Sequence, residues 1–134
     1  MSYRFRARAA LAIAALAAAV VWAADDQAPS ITPQELEARL AAGGAPLVVD
    51  VRTPEEYATG HVPGAINVPV DEVAKRAAEL TGRGPLALYC ARGPRARAGE
   101  AALARAGATD LLHLEGGFTA WEAAGLPVAR GAAN

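Results

Sequence analysis

The chain has 134 residues, room for one domain with a buried core but not for two. Hydrophobic residues make up 53%, raised by abundant alanine, and 13 Lys and Arg stand against 14 Asp and Glu. That balance lacks the basic excess with which nucleic-acid-binding domains hold phosphates, so no nucleic-acid partner is expected.

The first segment reads as an export signal. "MSYRFRAR" carries Arg4, Arg6 and Arg8 without an acid, "AALAIAALAAAVVWAA" is uninterruptedly apolar, and "DDQAPS" turns polar. A basic start, an apolar middle and small residues before a polar break are the pattern of a cleavable signal peptide. The reading assigns 1–23 to the signal, cut after Ala23, and 24–30 to a linker. An uncleaved anchor is the competing reading, but the stretch is short against the roughly 20 residues of a membrane span. Cleavage removes three arginines and no acid, moving the formal net charge from −1 to −4. The mature chain is then expected to be a periplasmic monomer without stable membrane insertion, in a compartment where thiols tend to oxidise.

Periodic elements follow in order. "ITPQELEARLAAGG" predicts a helix with Thr32 as cap, Pro33 at the first position, Glu35 completing a capping box, and Gly43–Gly44 as its end. "PLVVDV" (46–51) predicts a strand buried on both faces. "RTPEEYATG" repeats the capping pattern with Thr53, Pro54 and Glu56 in a short helix. "HVPGAINVPV" reads as a turn and a very short strand, and "DEVAKRAAEL" as a helix opened by Asp71. "PLALYC" is a second central strand, "PRARAGEAALARAG" a helix, "TDLLHLEGG" a third clear strand, and "FTAWEAAG" a short last helix. Strands alternating with helices predict an α/β fold, a mostly parallel central sheet with helices on both faces. The domain is expected over 31–128, with 129–134 as a tail.

Ligands of such sheets bind where strand carboxyl ends meet helix N-termini. Cys90, the one cysteine, ends a strand just before a helix. The thiolate is the nucleophilic form of cysteine. Here it would be stabilised by free helix amides, by the positive end of the helix dipole, and by Arg92 and Arg95. Gly93 permits a tight curl that turns amides inward, so no basic side chain is required. The plainer reading of Cys90 is a small buried hydrophobe. The two arginines and the glycine close by, with no second cysteine to pair with, favour chemistry.

Three segments carry a family resemblance: "VVDVRTPEEYATGHVPGAINVP" (48–69), "YCARGPRA" (89–96) and "LEGGFTAW" (114–121). Together, over about Ile31 to Val128, the chain resembles the rhodanese-like domain family, and within it the small exported thiosulfate sulfurtransferases. The resemblance implies a sheet of about five strands. It implies that Cys90 takes the outer sulfur of thiosulfate as a persulfide and passes it to a thiophilic acceptor, cyanide or a thiol. It also implies that the loop from Cys90 to Arg95 holds this sulfur through its amides, making Ala91, Arg92, Gly93, Arg95 and Ala96 the substrate-binding residues. Arg95 fills the basic loop-end position, and Arg92 is assigned to donor binding. No metal or cofactor is implied.

Related domains acting on phosphate esters have a loop one residue longer that ends in arginine; the matching position here is Ala96. Pro94 departs from the usual pattern, because it offers no amide hydrogen. Asp50 and Arg52 are expected beside the site, with Asp50 paired to an arginine. His61 is expected to make local hydrogen bonds in a turn, and His113 to pack within a strand. The alternative function is a non-catalytic or protein-partnered sulfur-delivery module of the cell envelope.

Overall fold

The computed structural model describes residues 27–44 and 46–132. The signal expected at 1–23, the linker residues 24–26 and the tail residues 133–134 lie outside the described residues. Five strands, β1 (Ser30–Ile31), β2 (Leu47–Asp50), β3 (Ile66–Asn67), β4 (Leu86–Tyr89) and β5 (Leu111–Leu114), form one sheet in the order β1-β5-β4-β2-β3. Every pairing is parallel. Six helices connect or follow the strands: α1 (Pro33–Ala41), α2 (Pro54–Thr59), α3 (Val70–Val73), α4 (Ala77–Thr81), α5 (Pro94–Arg105) and α6 (Gly117–Ala123). The α/β fold expected from the sequence is present.

The strands have two buried faces, and each face has its own core. Val49, Val51, Leu86, Leu88 and Cys90 join Val73, Ala77, Leu80, Ala96 and Leu103 of α3, α4 and α5. Val48, Ala87, Tyr89 and Leu114 join Leu36, Tyr57, Phe118 and Trp121 of α1, α2 and α6 on the other face. Burial on both faces is why β2 and β4 read as unbroken apolar runs rather than alternating ones. Each fully buried leucine contributes about 2 kcal/mol of hydrophobic stabilisation.

The order of the strands creates the site. From β2 the chain turns outward to β3, whereas from β4 it turns the opposite way to β5. The helix after β2 lies on one face and the helix after β4 on the other, so a crevice opens between the carboxyl ends of these neighbours. Val51 to Thr53 and Cys90 to Gly93 line up on its two sides.

Three local expectations are revised. β1 starts inside the expected linker: Ser30 pairs with His113 of β5 in register, and its two residues are too short a run to show a period. The helix expected to open at Asp71 begins at Val70, because Val70 N–H still donates to Val51 O at 3.0 Å. It then breaks at Arg76, whose backbone (φ −103°, ψ 11°) leaves the helical region, and resumes as α4. Ala129, expected as tail, exchanges both backbone hydrogen bonds with His61 at 2.9 Å.

Candidate active site

Thr53 and Pro94 set up the two walls of the crevice. Thr53 caps α2 in a complete capping box with Glu56, which accepts from Thr53 N–H at 3.3 Å while Thr53 Oγ1 accepts from Glu56 N–H at 3.2 Å. Pro94 is the first residue of α5, where an amide has no partner within the helix. The amide missing at Pro94 is therefore one the helix itself does not use.

Cys90 lies immediately beyond β4, a free thiol only 1% exposed. Gly93 N–H donates to its sulfur at 3.0 Å. Gly93 can do so because it adopts φ 149°, a region L side chains rarely occupy. The neighbouring carbonyls are turned away from the loop interior. Phe118 N–H donates to Cys90 O at 2.9 Å, and Thr119 N–H donates to Ala91 O at 3.0 Å. The "EGG" turn makes this possible: Gly117 (φ 62°) passes so close that a Cβ there would stand 2.6 Å from both carbonyl oxygens. Two of the loop's carbonyls are thereby bound to α6, and of the amides expected in the cradle the one on the sulfur is that of Gly93. A hydrogen bond contributes about 0.5–1.5 kcal/mol between neutral groups and about 1.5–3 kcal/mol where its acceptor is charged. Ala96, also expected in the cradle, is buried in the first turn of α5.

The two loop arginines differ. The Arg95 guanidinium grips Glu56 across the crevice, Nη1 to Oε1 at 2.7 Å and Nη2 to Oε2 at 3.0 Å. This donation, opposed by partial burial and aided by Thr53, holds the Glu56 carboxyl down at about 2. Arg92 is exposed, and its guanidinium forms no hydrogen bond or ion pair among the described residues. Of the two, Arg92 is therefore the cation open to an incoming anion.

Asp50 and Arg52 form a buried clamp under the crevice. Arg52 Nη2 donates to Asp50 Oδ2 at 2.6 Å and Nε to Oδ1 at 3.0 Å, with side chains 5% and 0% exposed. Arg52 Nη2 also donates to Gly60 O at 2.7 Å, and the guanidinium lies 4.4 Å from the Phe118 ring centre. Burial opposes the Arg52 charge, but Asp50 more than offsets it, so the guanidinium is held above its ordinary value. The expected pairing of Asp50 with an arginine is present, and the partner is its near neighbour in sequence. Tyr89, beside the clamp, has its hydroxyl pushed far up by burial and then by Asp50; it accepts from Val62 N–H at 3.1 Å.

His61 makes the local contacts expected of it, stacking on Tyr57 at 3.6 Å with Nδ1 2.8 Å from Tyr57 O. His113 is buried within β5, as expected, but it has a partner that the sequence reading missed: Glu100 of α5, with an oxygen 2.9 Å from Nδ1. The signal was available. On α5 the buried positions are Ala96, Gly99, Glu100 and Leu103, so a carboxylate stands on the core face of the helix. Glu56 was read as a cap alone; its second role depends on α5 lying opposite. A groove of about 630 Å³ between Ala28, Arg97, Glu100 and Leu111 lies elsewhere, and Cys90 does not line it.

Cys90 is thus a buried thiol at a strand–loop–helix junction, at the switch point of a parallel α/β sheet, which makes it the candidate nucleophile of the site. The rhodanese-like domain profile matches residues 32–124, most of the described structure. The chain is 45% identical over 123 residues to an HTH-type transcriptional regulator of Mycobacterium tuberculosis, covering 91% of this chain and 53% of that protein. It is 36% identical over 98 residues to a sulfurtransferase of Allochromatium vinosum, covering 73% of this chain and 92% of the relative. The crystal structure of a thiosulfate sulfurtransferase from Pseudomonas aeruginosa superposes with a TM-score of 0.72 at 31% identity, covering 80% of this chain and 21% of that one. The protein belongs to the rhodanese-like domain family, and sulfurtransferases are among its relatives. The chain spans about half the length of the regulator and a fifth of the crystallised sulfurtransferase.

Proposed function

We propose that the protein is a sulfurtransferase that carries a sulfane sulfur on Cys90, taking it from thiosulfate or a similar anionic donor and giving it to a thiol or cyanide. The observation that carries the reading is the Gly93 amide on Cys90 Sγ, in a loop whose first two carbonyls are bound elsewhere. The Cys90 thiolate attacks the outer sulfur of thiosulfate. The new S–S bond forms as the old one breaks, and its electron pair leaves on sulfite. The terminal persulfide sulfur then occupies the space the loop amides face. An acceptor thiolate or cyanide attacks that sulfur, and the electron pair returns to Cys90. Arg92 meets the anionic donor, and Arg95, shared with Glu56, adds positive charge at the loop end. Export to the periplasm by the segment 1–23 completes the proposal and rests on sequence pattern alone.

Intact mass after incubation with thiosulfate tests the reading: one added sulfur atom is expected on the wild type and none on Cys90→Ser. Thiocyanate production from cyanide is expected to fall by about three orders of magnitude or more in that variant. No adduct on the wild type sinks the proposal. A second reading, a docking or sulfur-relay module, is favoured by the similarity to a regulator of which this chain covers 53%. A specific protein partner with negligible turnover of small donors would support it.

A further inference from the structure

Beneath the loop lies a buried acid–imidazole pair that the reaction above does not use. His113 is 6% exposed and Glu100 is 3% exposed. Both carboxylate oxygens approach Nδ1, at 2.9 and 3.0 Å. Arg97, on the same helix, stands 3.9 Å from that carboxylate and donates to Ala28 O at 2.8 Å. A withdrawn carboxylate is costly unless partnered, and well-packed apolar residues often serve stability as well as such a pair. Stability alone therefore gives weak grounds for this pair.

Its placement offers a stronger one. With Nδ1 donating to Glu100, the tautomer is set and Nε2 faces away from the acid. Nε2 forms no hydrogen bond with the described residues, and it keeps some solvent exposure, since no fully buried side-chain nitrogen or oxygen among them lacks a partner. It lies beside the loop: a Cβ built on Gly93 would be in ordinary van der Waals contact with the ring, 3.6 Å from Nε2 and 3.8 Å from Cε1. Gly93 is the residue whose amide meets Cys90 Sγ, and its backbone is the least restricted of the loop. What lies beneath Gly93 therefore influences where that amide points.

We propose that His113, held by Glu100, is a positioning residue for the sulfur-carrying loop: its imidazole supports Gly93 and keeps the Gly93 amide aimed at Cys90 Sγ. The proposal rests on Cys90 being the sulfur carrier. From α5 the charged groups beside the imidazole are Glu100, in contact with it, and Arg97, which reaches the same carboxylate. From β1 the residue in register is Ser30, which carries no charge.

Two variants test it. The double variant His113→Leu with Glu100→Leu replaces the pair by apolar side chains and leaves no carboxylate unpaired. The double variant His113→Gln with Glu100→Gln keeps a long polar side chain beside Gly93 and a hydrogen-bonding partner for it on α5, again with no carboxylate unpaired. Four quantities are measured: the thermal unfolding midpoint, the rate of Cys90 alkylation by iodoacetamide, and kcat and KM with thiosulfate. The Leu pair is expected to unfold within a few degrees of the wild type with KM retained, while kcat falls about tenfold and alkylation shifts several-fold. The Gln pair is expected to recover most of kcat. A folded Leu pair with unchanged kcat and alkylation overturns the proposal, as does a loss that the Gln pair does not recover. Alkylation needs no sulfur donor, so a wild type that transfers no sulfur would refute the sulfurtransferase reading while still deciding the role of His113.

Discussion

Glu56 and Arg95 join the two walls of the crevice: the carboxylate of α2 receives both terminal nitrogens of the α5 guanidinium, at 2.7 and 3.0 Å. One residue comes from the first turn of the helix that follows β2, the other from the first turn of the helix that follows β4. The contact spans 39 positions of sequence and ties the first turn of one helix to the helix that follows the Cys90 loop.

Glu56→Gln separates the ion pair from the cap, because glutamine also completes a capping box. The Glu56 carboxyl is held at about 2, below its ordinary 4.5, chiefly by donation from Arg95. A carboxyl lowered in this way stabilises the fold above its unfolded value, and the gain is lost as pH falls from about 4.5 through 2. Both side chains are more than a third exposed, so solvent screening leaves about 0.5–1 kcal/mol. Urea unfolding followed from neutral to acid pH should show the variant less stable by that amount at neutral pH, with a flatter acid limb. An unchanged limb would refute the assignment.

The same substitution bears on the donor. Without Glu56 opposite it, the Arg95 guanidinium is no longer neutralised and is expected to attract anions more strongly. Steady-state kinetics should give a lower KM for thiosulfate in Glu56→Gln and a higher one in Arg92→Ala. If KM is the same in both, neither arginine meets the donor.

Gly117→Ala should damage the loop from behind. The residue has φ 62°, and a methyl group there would stand 2.6 Å from the oxygens of Cys90 and Ala91. The hydrogen bonds from Phe118 and Thr119 to those oxygens must then open. A destabilisation of about 2–4 kcal/mol is expected, with loss of turnover in the fraction that remains folded. Guanidinium denaturation and thiocyanate assays measure the two effects, and wild-type values in both would show that the turn is adaptable.

Asp50→Ala leaves Arg52 buried with its charge facing only Gly60 O and two aromatic rings. Breaking a buried pair from one side typically costs about 3–5 kcal/mol, so the denaturation midpoint should fall steeply. Replacing both residues by apolar ones of similar size should cost less. Equal losses in the single and double variants would show that the clamp acts by packing alone.

The parallel order of the sheet, the capped helices α1 and α2, and the loop after β4 were legible in the residues. Buried strands are continuous apolar runs, and Thr53-Pro54 with Glu56 is a local signal that needs no tertiary contact. β1 was hidden because two residues carry no period, and its pairing with β5 is decided by an edge that forms far along the chain. The break between α3 and α4 left no glycine or proline as a marker at Arg76.

Sequence alone singled out the candidate nucleophile: one thiol, at the end of a buried strand, ahead of a helix, followed by a glycine and two arginines. It could not decide which arginine stays open, because that depends on Glu56 arriving from the opposite wall. Nor could it say what lies beneath the thiol loop. Leu88 and His113 become neighbours only when β4 and β5 pair in register, and Glu100 meets His113 only when α5 packs over them. Local chemistry is set by side-chain type and short-range backbone preference. The partners that tune it come from segments brought together by burial of the sheet, at separations no local pattern encodes.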